Sequence, residues 1–327
     1  MKKILFTLLV LAVALSVFAE SRVAIVFATG GLGDKSFNDA ALEGVKKAKE
    51  MYEVDYDFAE PTAITEYETY LAQFANSRKY DLIICIGFDQ ADALTKISKR
   101  FPEQKFSIID MVVMNPNVAS YVYKEEERGF MVGYASAMMT TRSDDERVND
   151  KKVVGVIGGM KIPLIDANIA GFIAGAKYVD PEINAMHTYV GNWADPGKGK
   201  ELTLSMYEQG ADVVWGAAGR SGLGIINAAK EKNFYAIGAD SDQGYLAPEN
   251  VLTNGMKRVD NTVVIAIKNV IDGKFEGGKI NALGLKEEAL GYSTNLLPKD
   301  ITEKLEMVKK QIIAGEIKIP STLEMEK

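Results

Sequence analysis

"RVAIVFATGGLGDKSFNDAALEG", residues 22–44, runs from an apolar strand through a glycine-rich turn into a helix with spaced small residues. The turn comes within one position of two phosphate-binding motifs. A Walker A loop needs its lysine directly after the last glycine, so that the ammonium reaches the phosphates. Here Asp34 separates Gly33 from Lys35. The dinucleotide fingerprint G-x-G-x-x-G starts at Gly31 and Gly33 but meets Ser36 where the third glycine would allow close helix packing. What remains is the strand–turn–helix unit of an α/β fold, with an acidic side chain where a phosphate would lie. A carboxylate there repels phosphate strongly in a partly desolvated site, so the loop suits a neutral ligand with hydrogen-bond donors.

The unit recurs along the chain. Strands read at "RVAIVFA", "VDYDF", "DLIICIG" and "KFSIID", with helices beginning near Phe37, Thr65 and Asp89 between them. An extended stretch, "VASYVY", leads into the helix "EEERGFMVGYASAMM" and a polar run, after which the pattern starts again. "VVGVIGGM" at Val153 echoes the strand at Arg22, and "DVVWGAAGRSGLGIINAAK" at Asp212 echoes "DLIICIGFDQADALTKISK" at Asp81, both at an offset of 131. Helix starts at Thr65 and Pro196 share that offset, and the strand ends at Asp110 and Asp240 lie 130 apart. Four features in one order at nearly one spacing indicate a duplicated fold. The expectation is an α/β protein of two doubly wound parallel-sheet lobes joined by a multi-strand hinge. Residues 20–124 plus about 245–280 are assigned to the first lobe, and 125–244 plus about 281–327 to the second.

The chain has 327 residues, 47% of them hydrophobic, which is ample for two domains. Residues 1–19 read as a secretory signal: Lys2 and Lys3, an apolar run from Ile4 to Leu15, then Val17 and Ala19 at small-residue cleavage positions. That run is short for a spanning helix of roughly 20 residues, so export and a mature start near Glu20 are expected. Formal charge is −7, and losing Lys2 and Lys3 takes it to −9, which disfavours nucleic acid or an acidic bilayer as a partner. Cys85 is the only cysteine and lies in the apolar run "LIICIG", so it offers neither a disulfide nor a thiolate metal site. His187 is the only histidine, in the strand-like "NAMHTYV", and no G-x-S-x-G elbow is present. No enzyme, cofactor or metal site is expected.

Ligands of open parallel sheets bind beyond the carboxyl ends of the strands. Two facing lobes therefore make a cleft lined by both sets of strand ends. Those positions hold Asp34, Phe37 and Asn38, then Gly87, Phe88 and Asp110; from the second half come Met160, Trp193, Gly219 and Asp240, with Lys257 after a later strand. Carboxylates accept charge-assisted hydrogen bonds from hydroxyls and ring N–H groups, and aromatic faces hold a flat ring at about 1–3 kcal/mol per stack. Hydroxyls together with a flat ring describe a nucleoside. Plainer roles stay open: turn glycines at 30, 31 and 33, core packing for Phe37 and Phe88, caps or turns for Asp110 and Asp240, a hydrophobic staple for Trp193, a solvated surface for Lys257.

In the order "GGLGDKSFNDAALEG", "IICIGFDQADAL", "FSIID", "ERGFMVGYASAMM", "VGVIGGMKIPLI", "YVGNWADPGKGKE", "IGADSDQ" and "NGMKRVD", the chain resembles the basic membrane protein family of ABC-importer substrate-binding proteins, which includes purine nucleoside receptors. The resemblance implies a type I periplasmic-binding-protein fold and an ABC permease as partner. It also implies that Asp34, Phe37, Asn38, Asp110, Trp193, Asp240 and Lys257 line the cleft. In that reading Phe37 stacks on the base with Trp193 as partner, Asp110 or Asn38 reads ring donors, and Asp240 with Lys257 holds the ribose hydroxyls. Family members also bind other flat heterocycles, so a receptor for riboflavin, or a ligand sensor, is the alternative; an enzyme acting on a nucleotide is a third. Many members carry an acylated cysteine where "SVFAE" has none, so an exported, periplasmic or extracytoplasmic monomer without a cysteine-linked lipid is expected.

Overall fold

In the computed structural model, which describes residues 21–323, β1 (Arg22–Val26) sends Val23 and Ile25 into one apolar layer and Ala24 and Val26 into another. Burial on both faces is what a central parallel strand requires. The expected signal segment, residues 1–19, lies outside the described residues. From β1 the chain winds through α1 (Phe37–Tyr52), β2 (Asp55–Ala59), α2 (Tyr67–Ser77), β3 (Leu82–Ile86), α3 (Ala91–Arg100), β4 (Phe106–Ile109) and β5 (Val118–Tyr123). The second winding comprises α4 (Glu125–Thr140), β6 (Val153–Gly158), α5 (Pro163–Val179), β7 (Asn184–Tyr189), α6 (Pro196–Glu208), β8 (Ala211–Ala217), α7 (Gly222–Lys232), β9 (Tyr235–Asp240) and β10 (Val251–Lys257). α8 (Val259–Ile271), β11 (Ile280–Leu283), β12 (Leu290–Tyr292) and α9 (Lys299–Ile313) complete it.

The sheets run β11-β5-β4-β3-β1-β2 and β12-β10-β9-β8-β6-β7, parallel throughout except for the antiparallel pair β10–β12. Without the added edge strands β11 and β12, each sheet has the doubly wound order in which the first strand lies between the second and third. Cys85 is buried in the first sheet, against the α2 and α3 side.

One boundary differs from expectation. Residues 245–280 were assigned to the first lobe and those from 281 to the second, yet β10 pairs with β9 in the second sheet and β11 pairs with β5 in the first. The fifth strand of each lobe hands its following helix to the other: α4 leaves β5 to pack on α5, and α8 leaves β10 to pack on α1. Edge pairing sets strand membership, and no local pattern announces it. Both exchanged helices approach their partners at glycine. A Cβ built on Gly129 of α4 would lie 2.1 Å from the Asn168 carbonyl oxygen, and one on Gly171 of α5 would lie 2.2 Å from that of Glu126. Gly44 of α1 meets the Asp260 carbonyl oxygen in the same way, at 2.5 Å. These approaches fix the first turns of the exchanged helices beside the strand ends, where the chain crosses between lobes.

Candidate functional site

The turn after β1 depends on glycine: Gly31 and Gly33 take φ of +70° and +84°, backbone that side chains with a Cβ disfavour. It carries Asp34 inward, to 1% exposure. The carboxylate accepts the backbone N–H groups of Ser36 (2.9 Å), Asn38 (2.9 Å) and Asp39 (3.1 Å) and the Asn38 side-chain amide (3.2 Å). A carboxylate offers about four acceptor positions, so the helix takes them all. Asp34 is thus the resident anion at the N-terminus of α1, in the place a phosphate takes at such helices. The near-miss to a phosphate loop has a structural cause: the aspartate replaces the phosphate rather than repelling it across a cleft, and its expected role as a ligand acceptor gives way to capping. Asn38 braces the same turn by accepting the Ala28 N–H at 2.9 Å.

Asp110, directly after β4, and Asp240, the last residue of β9, take φ of +75° and +65°, a left-handed conformation that aspartate tolerates better than most residues. Both face a buried charge network. Lys257 Nζ, 2% exposed, lies 2.6 Å from Asp110 and 2.6 Å from Glu125. Arg128 reaches Glu125 at 2.8 Å and Asp240 at 2.6 Å, and its Nε donates to Asn168 at 3.0 Å. The hydroxyl of Ser36 donates to the other oxygen of Asp240. Burial pushes the Asp110 carboxyl up to about 6 although Lys257 pulls it down. Burial opposes the charge on Lys257, but Asp110 and Glu125 outweigh it and hold the ammonium above its ordinary value. The Asp110–Lys257 and Ser36–Asp240 contacts join the two lobes. A solvated surface role for Lys257 is therefore ruled out.

The rings sit around this network. The ammonium of Lys257 stands 5.1 Å from the centre of the Phe37 ring. Phe88 of the first lobe and Trp193 of the second meet edge to face with centroids 6.5 Å apart. Trp193 lies flat enough on the turn after β6 that a Cβ on Gly159 would fall 2.3 Å from its ring.

Between the lobes is a cleft that encloses about 650 Å³ of space when the open solvent at its mouth is included. Ten of the eleven expected residues line it: Asp34, Phe37, Asn38, Gly87, Phe88, Asp110, Trp193, Gly219, Asp240 and Lys257. Met160 does not; the turn that carries it is covered by the Trp193 ring. Sequence reasoning missed Asp89, Arg128 and Arg220, which also line the cavity. Asp89 read as a helix start and Arg128 only as part of the helix "EEERGFMVGYASAMM". The available signal for Arg220 was the repeat itself, since it follows Asp89 by 131 residues.

A family model described as "ABC transporter substrate-binding protein PnrA-like" matches residues 21–323. Basic membrane protein A of Borreliella afzelii is 33% identical over 302 residues, 89% of each chain. An uncharacterized lipoprotein of Pyrococcus abyssi is 32% identical over 83% of this chain and 68% of its own. The crystal structure of an ABC transporter system solute-binding protein from Aeropyrum pernix K1 superposes with a TM-score of 0.83 at 32% identity, covering 93% of this chain and 94% of that one. A sugar-binding protein of a Bacillus halodurans ABC transporter shares the fold at 14% identity and a TM-score of 0.65, covering 84% of this chain and 98% of that one. The word lipoprotein in the Pyrococcus name stands against the unanchored form expected here. No helix among the described residues is long and apolar enough to cross a membrane. Two doubly wound lobes around a lined cleft, and a family match over the whole described chain, place this protein in the Bmp family of PnrA-like ABC transporter substrate-binding proteins, with the type I periplasmic-binding-protein fold.

Proposed function

We propose that this substrate-binding protein captures a nucleoside, with a purine base, between its lobes and passes it to an ABC permease. The observation that carries the reading is the lining of one cavity by three aromatic residues, Phe37, Phe88 and Trp193, beside the Asp110–Lys257 and Asp240–Arg128 pairs. Flat apolar faces suit a base, and carboxylates held by buried cations suit hydroxyl and ring N–H donors. Closure is an equilibrium that a ligand biases by touching both lobes. Asp110–Lys257 and Ser36–Asp240 already cross the gap, so a guest between the rings adds contacts to an interface that exists. Micromolar capture needs about −8 kcal/mol, within reach of two stacked faces and a few charge-assisted bonds.

Denaturing the purified protein and identifying the released small molecule by mass spectrometry tests the reading, with calorimetry on inosine, guanosine, adenosine and riboflavin beside it. A nucleoside in the extract and saturable nucleoside binding support it. Riboflavin binding with none of the nucleosides overturns it in favour of a flavin receptor.

A further inference from the structure

Apart from Asp34, which caps α1, two charged side chains of the cleft stand outside the buried charge network. Asp89 lies in the short 3-10 turn after β3, and Arg220 in the corresponding turn after β8. Each has one half of its polar head fixed by the protein and the other half without a partner. Asp89 Oδ2 accepts the Tyr67 hydroxyl at 2.9 Å and the Thr29 hydroxyl at 3.4 Å, while Oδ1 is buried and unpaired. Tyr67 is itself held, accepting the Thr29 N–H at 3.0 Å. Arg220 donates through Nη2 to the Leu32 carbonyl of the opposite lobe, while its Nε is buried and unpaired. Asp89 Oδ1 turns back over the lining residue Gly87, where an added Cβ would lie 3.1 Å from it.

Buried polar atoms are almost always paired in a folded protein. Here an acceptor and a donor stay free at equivalent positions of two facing lobes, on residues that both line one cavity. We propose that Asp89 and Arg220 together read an uncharged donor–acceptor group of the bound nucleoside, and that the Asp89 carboxylate excludes a ligand carrying negative charge at that end. This rests on the nucleoside reading and sharpens its substrate class to the uncharged form. A sugar hydroxyl, or a ring N–H beside a carbonyl, donates to Asp89 and accepts from Arg220. A phosphate or an ionised ring satisfies Arg220 but sets like charges together at Asp89, and a clash of that kind is how binding sites reject a near relative of their ligand.

Calorimetry on the full chain with three probes tests this at mildly alkaline pH: inosine, inosine 5′-monophosphate, which is anionic at the sugar end, and xanthosine, whose ring is anionic there. The expected result is that inosine binds well, that Asp89→Asn narrows the preference for inosine over one of the two anions by about tenfold or more, and that Arg220→Met weakens inosine by about tenfold. The anion that gains identifies the ligand end facing the pair. Tyr67→Phe removes the hydrogen bond to Asp89 but keeps its charge, so the preference stays as in the wild type; this separates charge from positioning. Inosine binding with both preferences unchanged in Asp89→Asn, or undiminished in Arg220→Met, overturns the assignment while leaving the nucleoside receptor standing. A wild-type protein that binds no nucleoside removes both.

Discussion

At the carboxyl ends of the first sheet stand Asp34, Asp89 and Asp110; the second lobe answers with Arg220 and Asp240, and at its fifth strand with Lys257, backed by Arg128 from the exchanged helix α4. The winding is the same in both lobes, and the balance of charge is opposite. The winding follows from apolar strands buried on both faces and separated by helices, which the two halves share, whereas strand-end side chains take no part in the core and are free to differ. The result is a cleft whose walls attract one another: Lys257 of one lobe on Asp110 of the other, Arg220 on the Leu32 carbonyl. The helix pairs differ as well. α4 and α5 meet at Gly129 and Gly133 against Gly171 and Gly175, while α1 meets α8 at Gly44 alone.

Removing a cation from the network is the severest way to break this comparison. Lys257→Met leaves Asp110 and Glu125 short of a buried partner and should cost about 3–5 kcal/mol, read by chemical denaturation; a loss well under 1 kcal/mol would show that the lobes do not depend on their charge pairing. Next comes the asymmetry of the helix pairs. Gly129→Ala forces a methyl against backbone that cannot yield and is expected to cost about 3 kcal/mol, against about 1–2 kcal/mol for Gly44→Ala. Equal falls in melting temperature would erase that distinction.

Binding is the third test. Phe37→Ala should weaken nucleoside binding by more than about tenfold, near 1.4 kcal/mol, with little change in stability because the ring is only partly buried. The same cleft predicts two pH effects of opposite sign. With its folded carboxyl raised to about 6, above the unfolded value, Asp110 holds its proton more tightly when folded. Its contribution to stability therefore grows as pH falls from about 6 towards 4, while nucleoside affinity falls over the same range as the acceptor loses its charge. Titrations in which both quantities move together would remove Asp110 from the site.

The smallest effect is outside the cleft. Burial raises the Asp260 carboxyl, but Arg258 and Lys47 outweigh it and bring it down to about 2. Its stabilisation is present above the unfolded value near 4 and is lost as pH falls towards 2. Asp260→Asn should cost about 1 kcal/mol at neutral pH, given the exposure of Lys47 and Arg258.

The repeat at 131 residues and the doubly apolar strands made two doubly wound lobes legible before any coordinate. The same repeat placed Asp110 and Asp240 at matching strand ends. It hid three things. The membership of β10 and β11 depends on which sheet edge is vacant, a property of two folded lobes at once. The role of Asp34 depends on how the turn folds its carboxylate back onto α1, which only the backbone path shows. Asp89 and Arg220 each look like ordinary charges opening a helix, and their unpaired atoms come into view only when the two turns face one cavity.

Apolar runs and local turn chemistry are short-range quantities, so the amino-acid order alone determined the strands, the helices and the duplicated winding. Which acid meets which base was decided by tertiary structure. Hydrogen bonds and ion pairs act over a few ångströms, and Asp110 and Lys257, 147 residues apart in the chain, come within that distance only because two helices are exchanged between the lobes.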